Sequence, residues 1–383
     1  MTETPNKIVR GLQSFGRGAA VGATGLVAGA TVFSAYGGYF APAVMPVAAM
    51  ALMVLPIALI TGVFMLVVDL IFWRKASVLI AAAWLVSLPE LLVFFPLNAG
   101  SPDLTEQERD SSFTVLTYNI IHFWNTRSEE RDYDLNPTIE YILGTDADIV
   151  NIQELEPADI NPNAWRAKNE KVRQSQIDRL FERYPYRYVG SYAAALFSKF
   201  PIRHEKLPVQ VDSMPNINYF KINIRGHEVN FYNVHLKSLN LTDGDKQFYL
   251  DLYHKPASER ELKEEIKKAK STLGSKIKRA LVARAREARI LRQCIDSVSG
   301  PVIVAGDFND VPGCYAVRTI MDGDLHDAYA EAAFGPTITY HENRFYFRID
   351  QILYRGPEIV GIKRGNCPYS DHYPLLATFT WKQ

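Results

Sequence analysis

Six short polar motifs are spread over the last two-thirds of this 383-residue chain: Thr117-Tyr118-Asn119, Gln153-Glu154, Asn233-Val234-His235-Leu236, Gly306-Asp307-Phe308-Asn309, Arg348-Ile349-Asp350 and Ser370-Asp371-His372. Together they bring carboxylates, amides and imidazoles. Those are the hard oxygen ligands that hold a divalent metal and the hydrogen-bonding groups that attack on a phosphate ester requires. Such hydrolysis needs a cation against the phosphate, a base for water, and groups that steady the transition state and the leaving oxygen. Each motif alone is weak; six in this order are a strong signal.

Most of the motifs adjoin a short apolar run of the kind that forms a buried strand. Residues 113–118 alternate and deliver Asn119 at their end. Ile149-Val150-Asn151-Ile152 leads to Glu154, where a buried carboxylate is costly unless it is paired or holds a cation. Val302-Ile303-Val304-Ala305 precedes Asp307 and Asn309, and alternate residues beyond a strand end project the same way. Further strands are expected at 187–190, 194–198, 219–224, 228–234, 349–354 and 374–380. Helices are expected at 138–143, 170–184, 256–297 and 314–321.

In its order of motifs the chain resembles the endonuclease/exonuclease/phosphatase superfamily over roughly residues 112–383, most specifically in Gly306-Asp307-Phe308-Asn309 and Ser370-Asp371-His372. The resemblance implies a four-layer α/β sandwich, two packed β-sheets flanked by helices; pattern alone allows other α/β folds. It also implies roles. Glu154 becomes the principal Mg²⁺ ligand (Mn²⁺ as a substitute), with Asp371 at the metal or just outside it. Asp307 orients and deprotonates the attacking water, Asn309 holds a phosphate oxygen, and Asn119 contacts phosphate or orients Asp307. His372 stabilises the phosphorane, its ring fixed by Asp350. His235, in Asn-Val-His-Leu, resembles the deoxyribonuclease and sphingomyelinase branch, where a histidine can protonate the leaving oxygen. Its carboxylate partner cannot be assigned from sequence. The competing reading is a catalytically inactive scaffold of the same fold, against which Glu154, Asp307, Asn309 and His372 all stand present.

Residues 1–111 lie outside the resemblance. Segments 19–40, 43–73 and 76–97 are apolar and read as three transmembrane helices, the first rich in Gly and Ala, the third broken by Pro89 and Glu90. A cleaved signal peptide could account for the first but not for the other two. Lys7, Arg10 and Arg17 precede the first segment, and Arg74 and Lys75 separate the second from the third. The positive-inside rule then places residues 1–18 in the cytoplasm and everything after residue 98 on the periplasmic or extracellular side. Gly25 and Gly29 form a small-xxx-small pair suited to close helix packing. Asp69 and Glu90 are expected to be solvated at the membrane interface. Residues 98–111 read as a linker to a catalytic domain at 112–383.

Lys+Arg and Asp+Glu both number 42, so no global basic field argues for nucleic acid. Segment 251–292 nonetheless carries about twice as many basic as acidic residues. It is either a solvated helix face or a basic surface, carried by Lys267, Lys268, Lys270, Lys276, Lys278 and Arg279, that gathers anionic headgroups or nucleic-acid phosphates. Cys294, Cys314 and Cys367 show no metal-ligand spacing and are expected to be buried. His122, His204, His227, His254, His326 and His341 lack motif support. Tyr340, Arg344 and Arg348 either line the cleft or serve ordinary strand and loop roles. Loops 158–170, 211–218 and 239–256 are where specificity is expected. Expected partners are a phosphate-ester substrate (nucleic acid, lipid headgroup or small molecule) and a lipid bilayer; no obligate protein partner is inferred.

Overall fold

The computed structural model of the chain describes residues 4–98, 100, 105–126, 133–190, 193–211, 214, 216–239, 259–342 and 346–381, without the side chains of 4–16, 107 and 259–273. The chain divides into two compact units, Met1–Val93 with Gly313–Tyr315, and Phe94–Pro312 with Ala316–Gln383.

In the first unit, helices α1 (Thr4–Ala35), α2 (Pro46–Ala51), α3 (Leu55–Phe72) and α4 (Ser77–Phe94) follow one another. Three stretches, Arg17–Ala35, Pro46–Phe72 and Ser77–Phe94, are long and apolar enough to cross a membrane. Ile57, Ile60, Phe64 and Leu85 stand exposed along them, an apolar surface that water does not favour. Pro89 lies inside α4 without ending it.

Two sequence expectations fail in this unit. Asp69 and Glu90 are buried, not solvated at an interface: Asp69 Oδ2 accepts from Thr24 Oγ1 at 2.8 Å and Glu90 Oε1 from Tyr39 Oη at 2.9 Å. Each acid gains a polar partner on another segment, which lowers the cost of its burial. Gly25 and Gly29 pack nothing closely, since a Cβ on either would meet no atom within 4 Å.

In the second unit the described strands form two six-stranded sheets. The first contains β1 (Phe113–Asn119), β2 (Ile149–Gln153), β3 (Tyr186–Val189), β4 (Ala194–Ser198), β11 (Glu358–Arg364) and β12 (Leu375–Thr380), in the order β11-β12-β1-β2-β4-β3. The second contains β5 (Ile202–Glu205), β6 (Ile217–Ile224), β7 (His227–His235), β8 (Val302–Asp307), β9 (His326–Asp327) and β10 (Asp350–Arg355), in the order β5-β6-β7-β8-β10-β9. β1 runs parallel to β2 and β7 parallel to β8.

The side-chain period of two explains how this architecture places polar groups. On β1, Phe113 and Val115 enter the core shared by the two sheets, while Leu116 and Tyr118 enter a second core. That second core includes Ile139 and Ile142 of helix α6 (Pro137–Thr145) and Ile177 and Leu180 of helix α8 (Gln174–Arg183), with the short helix α7 (Trp165–Asn169) between them in the chain. Asn119 therefore lies on the inter-sheet register. So do His235 after Val229 and Phe231, Asp307 after Ile303 and Ala305, and Asp350 before Ile352 and Tyr354.

The strand expectations at 113–118, 149–152, 187–190, 194–198, 219–224, 228–234, 301–305, 349–354 and 374–380 all correspond to observed strands. β5, β9 and β11 were not expected. Residues 106–111, read as linker, form helix α5 with a full capping box at Thr105 and Glu108, and Ser111 Oγ lies 2.9 Å from Thr380 Oγ1 of β12. The charged segment forms one long helix, α9 (Glu259–Asp296), followed by α10 (Tyr315–Met321) and α11 (Ala328–Ala332). Lys267, Lys268 and Lys270 fall outside the described side chains, and His254, Arg344 and most of loop 239–256 outside the described residues. All three cysteines are buried, and none is in a disulfide among the described residues.

Candidate active site

The ladders bring the motif residues to one edge of the sandwich. His235 pairs with Asp307 across β7 and β8, and Asp307 with Asp350 across β8 and β10, so three chemical groups occupy one rung. In the other sheet Asn119 pairs with Gln153, and Glu154 follows directly. Glu154 takes a left-handed backbone, φ +57°, which sets it off the strand it ends.

Asp307 is the centre of the set. Its Oδ1 accepts from the Asn309 backbone N–H at 2.7 Å and its Oδ2 from Asn119 Nδ2 at 3.1 Å. The same Asn119 amide donates to Glu154 Oε1 at 3.0 Å, so one side chain holds both carboxylates. His372 Nδ1 is 2.7 Å from Asp350 Oδ2, which leaves its Nε2 facing Asp307 Oδ2 at 3.7 Å. His235 Nε2 stands 3.6 Å from Asp307 Oδ2 and 3.8 Å from Glu154 Oε1. Among the described residues no carboxylate hydrogen-bonds to His235. Asn309 directs its Nδ2 at the Leu236 carbonyl, 3.0 Å away, and so ties the Asp307 loop to the chain beside His235. Ser370 Oγ donates to the Asn119 carbonyl at 2.8 Å and accepts from the His372 N–H, fixing the Ser-Asp-His turn against β1.

The electrostatics mark a site short of positive charge. Burial pushes the Asp307 carboxyl above its usual range; His372 opposes this and Asp350 adds to it. Burial likewise raises Asp371, with the carboxylates of Glu154 and Asp307 contributing. For His372 burial alone would lower the pKa, but Asp350 and Asp307 outweigh it and push it up to about 10, so the ring is an imidazolium at neutral pH.

Asp307, Asp350 and His372 place ligand atoms within 4.8 Å of one another. In that group His372 Nδ1 is already bonded to Asp350. Glu154 and Asp371 add further carboxylates, and the charges of Glu154 and Asp307 both act against ionisation of Asp371, a repulsion that a cation would relieve.

Several supporting residues were given no role by the sequence reading. Beside and beneath the site on the same inward faces lies a buried amide layer. Gln153 Nε2 donates to Asn233 Oδ1 at 2.8 Å, Asn233 Nδ2 to the Ile152 and Ala195 carbonyls, and Asn151 Nδ2 to the Ala305 carbonyl at 2.9 Å. These bonds pin the two sheets to each other under the carboxylates. Arg284 of α9 is fully buried and bonds both the Asn309 carbonyl and, at 3.1 Å, Asp310 Oδ2.

Other candidates lie elsewhere. Arg348 is not in a cleft: it forms a buried bidentate pair with Asp327, at 3.1 and 2.9 Å, over the Tyr329 ring. Tyr340 does approach the site, its ring edge-on to His372 at 5.1 Å. His122 donates its backbone N–H to the Glu154 carbonyl, but its ring is paired with Asp159 at 2.8 Å. His204 and His227 stack on Tyr188 and Trp381.

Solved structures similar in fold include an endonuclease/exonuclease/phosphatase from Beutenbergia cavernae, 16% identical, TM-score 0.44, covering 71% of this chain and 72% of that one. An endonuclease/exonuclease/phosphatase family protein from Leptotrichia buccalis is 15% identical, TM-score 0.44, covering 70% and 100%. Truncated TDP2 from Caenorhabditis elegans is 18% identical, TM-score 0.41, covering 70% and 98%. No curated protein matches the chain. Residues 17–94 match a domain of unknown function (DUF8431). Residues 116–372, two-thirds of the chain and every motif residue from Thr117 to His372, match the Endonuclease/Exonuclease/phosphatase family, and the chain belongs to that family.

Proposed function

We propose that the chain is a membrane-anchored phosphoesterase that uses Mg²⁺, or Mn²⁺ as a substitute, to hydrolyse phosphodiester bonds, with phosphomonoesters as a further substrate class. The observation that carries this reading is the convergence of Asn119, Glu154, His235, Asp307, Asp350 and His372 from both sheets onto one edge. Family enzymes depend on divalent metal, and the carboxylates of Glu154 and Asp371 beside Asp307 are the donors that fit one. When bound, the metal would neutralise phosphate charge and favour ionised carboxylates.

The chain's own residues do the rest. Asp307 accepts the proton of the attacking water, and Asn119 holds its Oδ2 and Glu154 Oε1 in a fixed relation. The His372 imidazolium, oriented by Asp350, donates toward the charge that develops on phosphorus oxygens. His235 protonates the leaving oxygen, in keeping with the deoxyribonuclease and sphingomyelinase branch. Asn309 acts through its loop as well as on phosphate, since its amide ties Leu236 to the Asp307 turn.

Hydrolysis by the full chain in detergent micelles tests this, on bis-p-nitrophenyl phosphate, DNA, RNA, sphingomyelin and phosphoinositides. Turnover should vanish with EDTA and return with Mg²⁺. Turnover that survives chelation, or metal binding without turnover on any substrate, would count against the reading.

The three apolar helices would form the anchor, residues 19–97, ahead of the catalytic domain at 112–383. Arg17 before the first and Arg74 and Lys75 between the last two favour a catalytic domain on the periplasmic or extracellular side. Protease added to intact cells should then digest the chain beyond residue 98. Protection of that portion until the cells are lysed would reverse the orientation.

A further inference from the structure

We infer that the outward face of α9 beside His235 binds a run of phosphates, and that the occupant is a short single-stranded nucleic acid. This rests on the phosphoesterase reading and names its substrate class.

A cleft of about 970 Å³ opens from His235, with Lys237 on one wall and Lys278, Arg279, Arg286 and Arg289 of α9 on the other. Lys278, Val282, Arg286 and Arg289 follow helical spacing and share a face. From Lys278 to Arg289 that face runs for ~16 Å at the helical rise.

The charge there is largely uncompensated. Among the described residues Lys278, Arg279, Arg286 and Arg289 make no ion pair, and the single lining acid, Glu287, is engaged by the Lys237 backbone N–H at 2.8 Å. Elsewhere on α9 the arginines that turn inward are paired: Arg284 with Asp310, Arg292 with Asp296 and Asp324. A merely solvated helix face interleaves both signs at i,i+4, as Arg292 and Asp296 do. The outward face departs from that pattern in a chain whose formal net charge is zero.

The length of the row decides between ligands. One phosphate or one lipid headgroup would occupy only the end beside His235, whereas a nucleic-acid strand repeats its charge along the row. Among the described residues the lining has no aromatic side chain on which a base could stack. Recognition therefore falls on the backbone and should be indifferent to sequence. Arg284 links the row to the chemistry, because the same helix bonds the Asn309 carbonyl next to Asp307.

The test is fluorescence anisotropy of a labelled single-stranded oligonucleotide with the full chain in detergent and EDTA, across a salt series. Engagement of about four phosphates, one for each of Lys278, Arg279, Arg286 and Arg289, predicts a slope of log K against log salt near −3, at ~0.7 per phosphate for single strands. Arg286→Ala with Arg289→Ala should weaken binding about tenfold and flatten the slope by more than one unit, since two contacts are lost. Lys278→Ala with Arg279→Ala should do likewise, and each pair should lower kcat/KM for the oligonucleotide relative to bis-p-nitrophenyl phosphate. An unchanged slope in both pairs overturns the inference. So does equal salt-sensitive binding to phosphatidylserine vesicles with none to the oligonucleotide. Because EDTA removes any need for turnover, a chain that binds the strand in this way but hydrolyses nothing would refute the phosphoesterase reading and leave this site standing. A chain that hydrolyses the small diester yet ignores the oligonucleotide would do the reverse.

Discussion

Asp307→Asn should cut kcat by about 10⁴-fold, the upper range for loss of a positioned general base, and leave the fold in place. Asparagine is isosteric and keeps one oxygen that can accept from the Asn309 N–H, as Asp307 Oδ1 does at 2.7 Å. The other position then presents an NH₂ to Asn119 Nδ2, donor against donor, where Asp307 Oδ2 had accepted at 3.1 Å. That mismatch costs about 1–3 kcal/mol. Against it stands relief: the variant no longer buries a carboxylate that burial and Asp350 both disfavour. The two effects oppose each other, so the melting temperature should stay within a few degrees of the parent. What is lost is the atom that takes the proton. Hydrolysis of bis-p-nitrophenyl phosphate at saturating Mg²⁺, read beside a circular-dichroism melt, decides the matter. Activity within tenfold of the parent would remove Asp307 as the base.

Gly306→Ala should damage fold and chemistry together. Gly306 has φ +147°, and a Cβ built on it would lie 2.0 Å from the Val234 carbonyl oxygen. Val234 is its partner in the β7–β8 ladder, one residue before His235 pairs with Asp307. The methyl can be accommodated only by opening that ladder or by turning the backbone. Strain of this kind plus lost strand pairing puts the loss at roughly 3 kcal/mol or more. Because the displaced residues flank His235 and Asp307, kcat should fall even at temperatures where the variant remains folded. Urea unfolding and kcat measured on the same sample would show it. Parent-like values of both would mean that the ladder yields far more easily than its geometry implies.

The site was legible because its residues end strands whose interiors are strongly apolar. Val302 to Ala305 and Ile149 to Ile152 announce themselves, and the residues just beyond them are conspicuous for being polar. β5, β9 and β11 were illegible for the converse reason. They lie at or near sheet edges with many half-exposed positions, and Arg203, His204 and Lys363 interrupt any apolar run. Arg284 could not be singled out among the basic residues of α9, because its burial depends on which face the helix turns toward Asp310. Arg348 was open between a cleft and an ordinary role for a related reason: its neighbour Asp350 is in the candidate site, whereas Arg348 itself turns to a buried pair with Asp327. Asp69 and Glu90 look like interface residues by position. Their partners, Thr24 and Tyr39, are more than forty positions away and only the fold brings them together.

His235 and Asp307 are register partners in a parallel ladder, although the whole of α9 intervenes between them in the chain. The spacing of the two groups is therefore set across the ladder, not along the covalent connection. A crossover that leaves and re-enters at adjacent strands can grow, shrink or exchange its surface while the proton-transfer geometry at its base is preserved. On the proposed reading, substrate choice and chemical competence would be separately heritable: mutation could rewrite what α9 grips without renegotiating how the phosphate is broken.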